Sequence, residues 1–197
     1  MKILLLMGSM RQNGHTAEVT KAFEAMLTDR NATVEYLPLV KYDIKACTGC
    51  ATCQNILNAH GCVIRDDVPD LFEKVRSADA VFFATPIYSW YCTTPVKSLM
   101  DRLVYMMNKY YGETRGGSFW EGKKIGIITT CGYPDHYGAD LFETGIKRYA
   151  KHSELVYIGH FNARDKGKQY AFFTEDDKDR LMKFAEETVS ASTESLC

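Results

Sequence analysis

Apolar and polar positions fall into alternating blocks along this chain. Ile3, Leu4, Leu5, Leu6 and Met7 make an uncharged run closed by Gly8 and Ser9, the pattern of a strand buried on both faces. Over residues 16–27, Ala17, Val19, Ala22, Phe23, Met26 and Leu27 recur at close to a 3.6-residue period, which predicts a helix. Residues 33–37 read as a second strand. Residues 38–62 show no period, and a connection that long in a compact domain is usually functional. Asp66 or Asp67 caps a helix to about residue 75. A strand over 79–84 and a helix over 95–107 follow, the helix with Thr94 as N-cap and Pro95 in its first turn. Then come a strand over 124–129, a helix over 138–151, a strand over 155–159 and a last helix over 174–189. One domain is expected over 1–190, with residues 191–197 as a flexible tail.

Strand and helix alternate five times. That order implies an α/β fold: a five-stranded parallel sheet, helices on both faces, right-handed crossovers. The strand order 2-1-3-4-5 fits, and its ligand site lies beyond the carboxyl ends of the strands, where strands one and three meet. The loops at 8–16, 38–65, 85–94 and 130–137 are therefore where chemistry is sought.

Composition narrows the function class. Of 197 residues 46% are hydrophobic and 25% charged, as in a globular protein. Twenty-four basic residues against 25 acidic ones argue against a nucleic-acid partner. No apolar run reaches the roughly 18 residues of a membrane span, and no cleavable signal peptide is visible. No membrane association and a cytoplasmic location are expected. Seven cysteines, an odd number, then read as reduced thiols with metal or redox roles rather than as a disulfide scaffold.

The first loop, Gly8-Ser9-Met10-Arg11-Gln12-Asn13-Gly14-His15-Thr16, joins a strand to a helix. Its glycines and hydroxyls, the positive helix start and Arg11 make a phosphate cradle. It is neither a Walker loop nor Gly-x-Gly-x-x-Gly. In the third loop, Pro86, Ile87, Tyr88, Ser89 and Trp90 offer a rigid turn and an apolar wall of the kind a flat electron-accepting ring needs. In the fourth, Thr130, Cys131, Gly132 and Tyr133 close over such a ring, Gly132 allowing close backbone approach. Cys47-x-x-Cys50-x-x-Cys53, then eight residues and Cys62, is a compact four-thiol set. It is suited to a [4Fe–4S] cluster or zinc, and equally to a redox disulfide or to thiols without metal.

Gly-Ser-x-Arg-x-x-Gly-x-Thr after an N-terminal strand resembles the flavodoxin-like NAD(P)H-dependent FMN reductase family, as does Thr-Pro-x-Tyr followed by Pro95, Lys97 and Asp101-Arg102. The resemblance covers roughly residues 1–160 and implies a flavodoxin-like fold. By it, Ser9, Arg11, Asn13, His15, Thr16 and Ala17 hold the FMN phosphate; Pro86, Ile87, Tyr88, Ser89 and Trp90 carry the flavin ring; Thr130, Cys131, Gly132 and Tyr133 border it. His15 stands where Asn is commoner, and Met10 where Pro is frequent. The cysteine loop, with Asp66-Asp67 after it, resembles the iron–sulfur flavoprotein branch, although its last gap is longer than usual there.

The implied activity is electron transfer from NAD(P)H, as co-substrate, through FMN to a small acceptor such as a flavin or quinone. It needs no protein acid or base, because hydride passes directly between nicotinamide and flavin. The alternative is an iron–sulfur electron carrier docking a redox protein such as ferredoxin. The aromatic residues point to a homodimer or homotetramer, and the family resemblance implies that Phe119 and Trp120 reach a neighbour's site in it.

Overall fold

The computed structural model describes residues 1–190; the tail expected over 191–197 lies outside them. Five parallel strands, β1 (Lys2–Met7), β2 (Thr33–Pro38), β3 (Ala80–Pro86), β4 (Lys124–Cys131) and β5 (Val156–Arg164), form one sheet in the order β2-β1-β3-β4-β5. Between them run α1 (His15–Thr28), α2 (Val68–Ser77), α3 (Thr94–Met107), α4 (Asp135–Gly138) and α5 (Asp140–His152), with α6 (Glu175–Ser190) last.

The central strands β1 and β3 are apolar on both sides, so each feeds two cores. Leu4, Leu6, Val81 and Phe83 face the layer of α2, α3 and α5. Ile3, Leu5, Phe82 and Ala84 face α1 and α6. This is why the strands read as unbroken apolar runs instead of alternating ones.

Four expectations change. The helix read over 138–151 is two helices, α4 and α5, meeting at Ala139. β5 runs on to Arg164, past the expected end at residue 159. Thr93, not Thr94, occupies the N-cap of α3, and its hydroxyl donates to the Gly8 carbonyl at 2.7 Å, tying the first loop to the third. Trp120 does not reach a neighbour: it is buried in its own core and its Nε1–H donates to Asn108 Oδ1 at 2.8 Å. Phe119 packs edge-on against Phe72 on the same side.

Candidate functional site

The carboxyl ends of β1, β3 and β4 bring three of the predicted loops together. Gly8 N–H donates to the Ala84 carbonyl, and Ile87 N–H to the Thr130 carbonyl. Thr16 and Thr130 hydroxyls pair at 2.7 Å across the gap from α1 to β4. Ser9 and Thr16 are buried with Ala17, while Arg11 and Asn13 are exposed. No side chain caps α1 at Gly14, so its first N–H groups stay available to an anion. Buried hydroxyls beside an uncapped helix start fit the phosphate of FMN.

His15 departs from a simple cradle. Its Nδ1 lies 3.1 Å from Asp165 Oδ2 and its ring stacks on Phe172 at 3.8 Å between centroids. Asp165 comes from the segment after β5, which no local pattern connects to the first loop.

The third loop is a tight hairpin. Tyr88 and Tyr91 exchange both backbone hydrogen bonds at 3.0 Å. Ser89 and Trp90 between them sit at φ 50° and 62°, a left-handed pair that glycine or asparagine would adopt more cheaply. Strain of this kind concentrates at ligand sites. It leaves the Ser89 and Trp90 N–H groups outside the turn's own bonding. Trp90 lies parallel to Tyr133 of the fourth loop, ring centroids 6.2 Å apart and planes 13° off. A cavity of about 270 Å³ lies here, lined by Ile87, Ser89, Trp90, Cys131, Gly132 and Tyr133. Of the flavin-ring residues expected from the sequence, Ile87, Ser89 and Trp90 meet the fourth loop here, whereas Tyr88 lines a different cleft. A second, wider cleft of about 460 Å³ opens between Met10, Tyr42, Ile44, Tyr88 and Cys92.

The cysteine loop packs beside α3. Cys53 is buried in a short 3-10 turn, Cys50 is exposed, and Cys47 and Cys62 lie between those extremes. Among the described residues no three His, Cys, Asp or Glu side chains converge at metal-ligand distance. The charges of Cys62, Cys47 and Cys50 nevertheless all act on Cys53. Burial pushes the Cys53 thiol up, with Lys109 pulling it back down. Cys50 is held below the usual thiol value, chiefly by the Thr52 hydroxyl.

Three buried side chains that the loop's sequence does not announce hold it in place. Arg102 of α3 pairs with Asp66 at 2.7 Å, their side chains 1% and 0% exposed, and also donates to the Lys45 carbonyl. Gln54 bonds the carbonyl of Asn108 and the N–H of Tyr111. Lys109 donates to the Cys53 and His60 carbonyls, and burial lowers its pKa. Arg102 Nε is buried with no hydrogen-bond partner, and the Cys62 sulfur acts on this guanidinium as an acceptor once ionised. An orphaned cationic N–H beside a cysteine fits a bound thiolate. In the sequence Asp101-Arg102 reads only as part of a helix motif, and Lys109 and Gln54 carry no signal, because their partners are at least 49 residues away.

Known proteins give the same two themes. An iron–sulfur flavoprotein of Methanocaldococcus jannaschii is 26% identical over 179 residues, covering 86% of this chain and 85% of that protein. An iron–sulfur flavoprotein of Archaeoglobus fulgidus is 34% identical over 104 residues, 53% of this chain and 46% of its own length, so the match spans about half of that relative. Among solved structures, RosB with bound 8-demethyl-8-formylriboflavin-5'-phosphate superposes with a TM-score of 0.73 at 17% identity, covering all of this chain and 81% of that one, a likeness of fold. The profile described as NADPH-dependent FMN reductase matches residues 1–144. Nearly three quarters of the sequence, with the first, third and fourth loops inside it, thus places the chain in the NADPH-dependent FMN reductase family.

Proposed function

We propose that this chain is an FMN oxidoreductase of the iron–sulfur flavoprotein kind, which passes electrons between a flavin and a [4Fe–4S] cluster held by Cys47, Cys50, Cys53 and Cys62 and on to a redox protein such as ferredoxin. The observation that carries it is a loop of four cysteines fixed on α3 by the buried Asp66–Arg102 pair, where Arg102 Nε is buried without a hydrogen-bond partner among the described residues. The names of the relatives support the same reading.

FMN supplies an exchange of electrons in ones or twos, and the cluster an exchange of single electrons. The rest falls to the chain. Ser9, Thr16 and the start of α1 bind the phosphate, with Arg11, Asn13 and His15 around it. The Ser89–Trp90 turn would present its N–H groups to the polar edge of the ring, and Trp90 and Tyr133, which line the same cavity, would border it. The Asp66–Arg102 pair and Gln54 fix the cysteine loop against α3, so the thiols keep one position.

A second reading is NAD(P)H oxidation with a small acceptor such as a quinone. The apolar cleft between Met10, Tyr42 and Tyr88 favours it, being open and wide enough for a flat ring. One experiment separates the two. The protein is purified without oxygen, and iron, sulfide and flavin are quantified together. The first reading expects about four irons per chain and one FMN, with Cys53→Ser losing iron and keeping flavin. A yellow protein free of iron, whose NAD(P)H oxidation is unchanged in Cys53→Ser, leaves the second.

A further inference from the structure

We infer that Lys109 is the fixed counter-charge of the cysteine centre, and that its ammonium sets how readily the centre takes an electron. The inference rests on the iron–sulfur reading above and assigns a positioning and tuning role to a residue that is not a ligand.

Two cations are buried under the cysteine loop, and only one has a carboxylate. Arg102 is matched by Asp66. Lys109 is 1% exposed, yet its ammonium meets only neutral groups: the Cys53 carbonyl at 2.9 Å, the His60 carbonyl at 3.3 Å and, at 5.7 Å, the face of Phe119. Among the described residues no carboxylate pairs with it. A buried charge without an opposite charge is costly to keep, so the local structure is incomplete until an anion arrives. The groups that Lys109 acts on electrostatically are the Cys53 and Cys62 thiols. Four thiolates around a cluster would supply the missing negative charge.

The lysine is also held still. Its N–H donates to the Gly117 carbonyl and its own carbonyl accepts from Gly116 N–H, so residues 109–117 close into a loop. A Cβ at Gly116 would run into the Lys109 stem and Leu57, so the stem is walled on that side. A fixed cation in a low-dielectric setting favours whichever neighbouring state is more negative. Reduction adds one electron, drawn from the reduced flavin, and breaks no bond. The centre with its thiolates gains one unit of negative charge beside Lys109, so the lysine raises the reduction potential.

The test uses the anaerobically purified full chain in five forms: unaltered, Lys109→Met, Lys109→Gln, Lys109→Arg and, as a control on the exposed face of α6, Lys178→Met. Iron and sulfide per chain are measured first, then the midpoint potential by redox titration followed by electron paramagnetic resonance, with circular dichroism as the check on folding. Lys109→Met and Lys109→Gln should leave about tenfold less reduced centre at a given potential, a fall of about 59 mV. Alternatively they load less iron. Lys109→Arg should restore both measures, and Lys178→Met should match the unaltered protein. Unaltered iron content and potential in the folded neutral variants would overturn the inference while leaving the iron–sulfur reading intact. Equal iron loss in Lys109→Arg and the neutral variants would show a need for shape and not charge, and would also overturn it. An unaltered protein that carries flavin but neither iron nor sulfide ends the iron–sulfur reading itself, and this inference with it.

Discussion

The most consequential single contact is Asp66 with Arg102, because it lies in the core and anchors the cysteine loop from α3. Removing one charge of a buried pair strands the other. Asp66→Asn is therefore expected to cost about 3–5 kcal/mol, read as a lower urea midpoint. Burial works to raise the Asp66 carboxyl, but hydrogen bonds from Arg102 and from the N–H groups of Lys45 and Val68 hold it below its usual value. A carboxylate depressed in the folded state stabilises above its unfolded value of about 3.9 and loses that contribution as pH falls through the folded one. The gap between the two proteins should thus be widest near neutrality and close in acid below about pH 4. From the sequence, Asp66-Asp67 was legible as a helix start, and Asp67 does stand at the N-cap of α2. The ion pair was not, since the partner is 36 positions on and lies inside an apolar helix face. Trp120 was misread for a similar reason. Its partner Asn108 is polar and buried, which hydropathy alone cannot reveal.

Elements with one strong pattern are legible in the sequence, and so is the mixed strand β2; β5 is only partly so. β1 is apolar from Ile3 on, and β3 is apolar apart from Thr85. β5 continues as His160-Phe161-Asn162-Ala163-Arg164, where polar residues mask the strand: His160 Nε2 and Asn162 Oδ1 both bond the Thr129 hydroxyl. The phosphate loop was legible because its glycines fall where backbones must touch. A Cβ on Gly8 would collide with Val96 of α3. Gly8→Ala should then cost about 1–3 kcal/mol through overpacking and weaken flavin binding by shifting the loop, both visible in thermal melts with and without FMN. Ser9→Ala with Thr16→Ala removes two buried hydroxyls from the same loop. Hydrogen bonds to a charged group are each worth about 1.5–3 kcal/mol, so FMN affinity should fall at least about tenfold in a flavin fluorescence titration. Unchanged affinity would move the phosphate elsewhere. The left-handed Ser89–Trp90 turn was invisible beforehand, because neither residue type signals positive φ.

At the scale of the molecule, the two cores divide labour. The face of α1 and α6 carries the phosphate end of the site, and the face of α2, α3 and α5 carries the cysteine loop. The fold thus places the predicted flavin loops and the four-cysteine loop at the carboxyl ends of one sheet. Between them the surface is unusually aromatic. Tyr88, Trp90, Tyr133 and Tyr137 are each 40% exposed or more, and Trp90, Tyr133 and Tyr137 pack mutually at 5.3–6.2 Å. A rigid, exposed aromatic group at the mouth of a cofactor site is costly to leave in water and is suited to a subunit contact. We expect a homodimer, or a homotetramer built from it, in which this patch is covered. Light scattering at micromolar concentration should give at least twice the chain mass, and Tyr137→Glu should lower it. The fold itself should survive, since that side chain is exposed. A monomer mass for the unaltered protein would instead leave the aromatic patch free for the redox partner, and Tyr137→Glu would then weaken electron delivery without changing mass or flavin content.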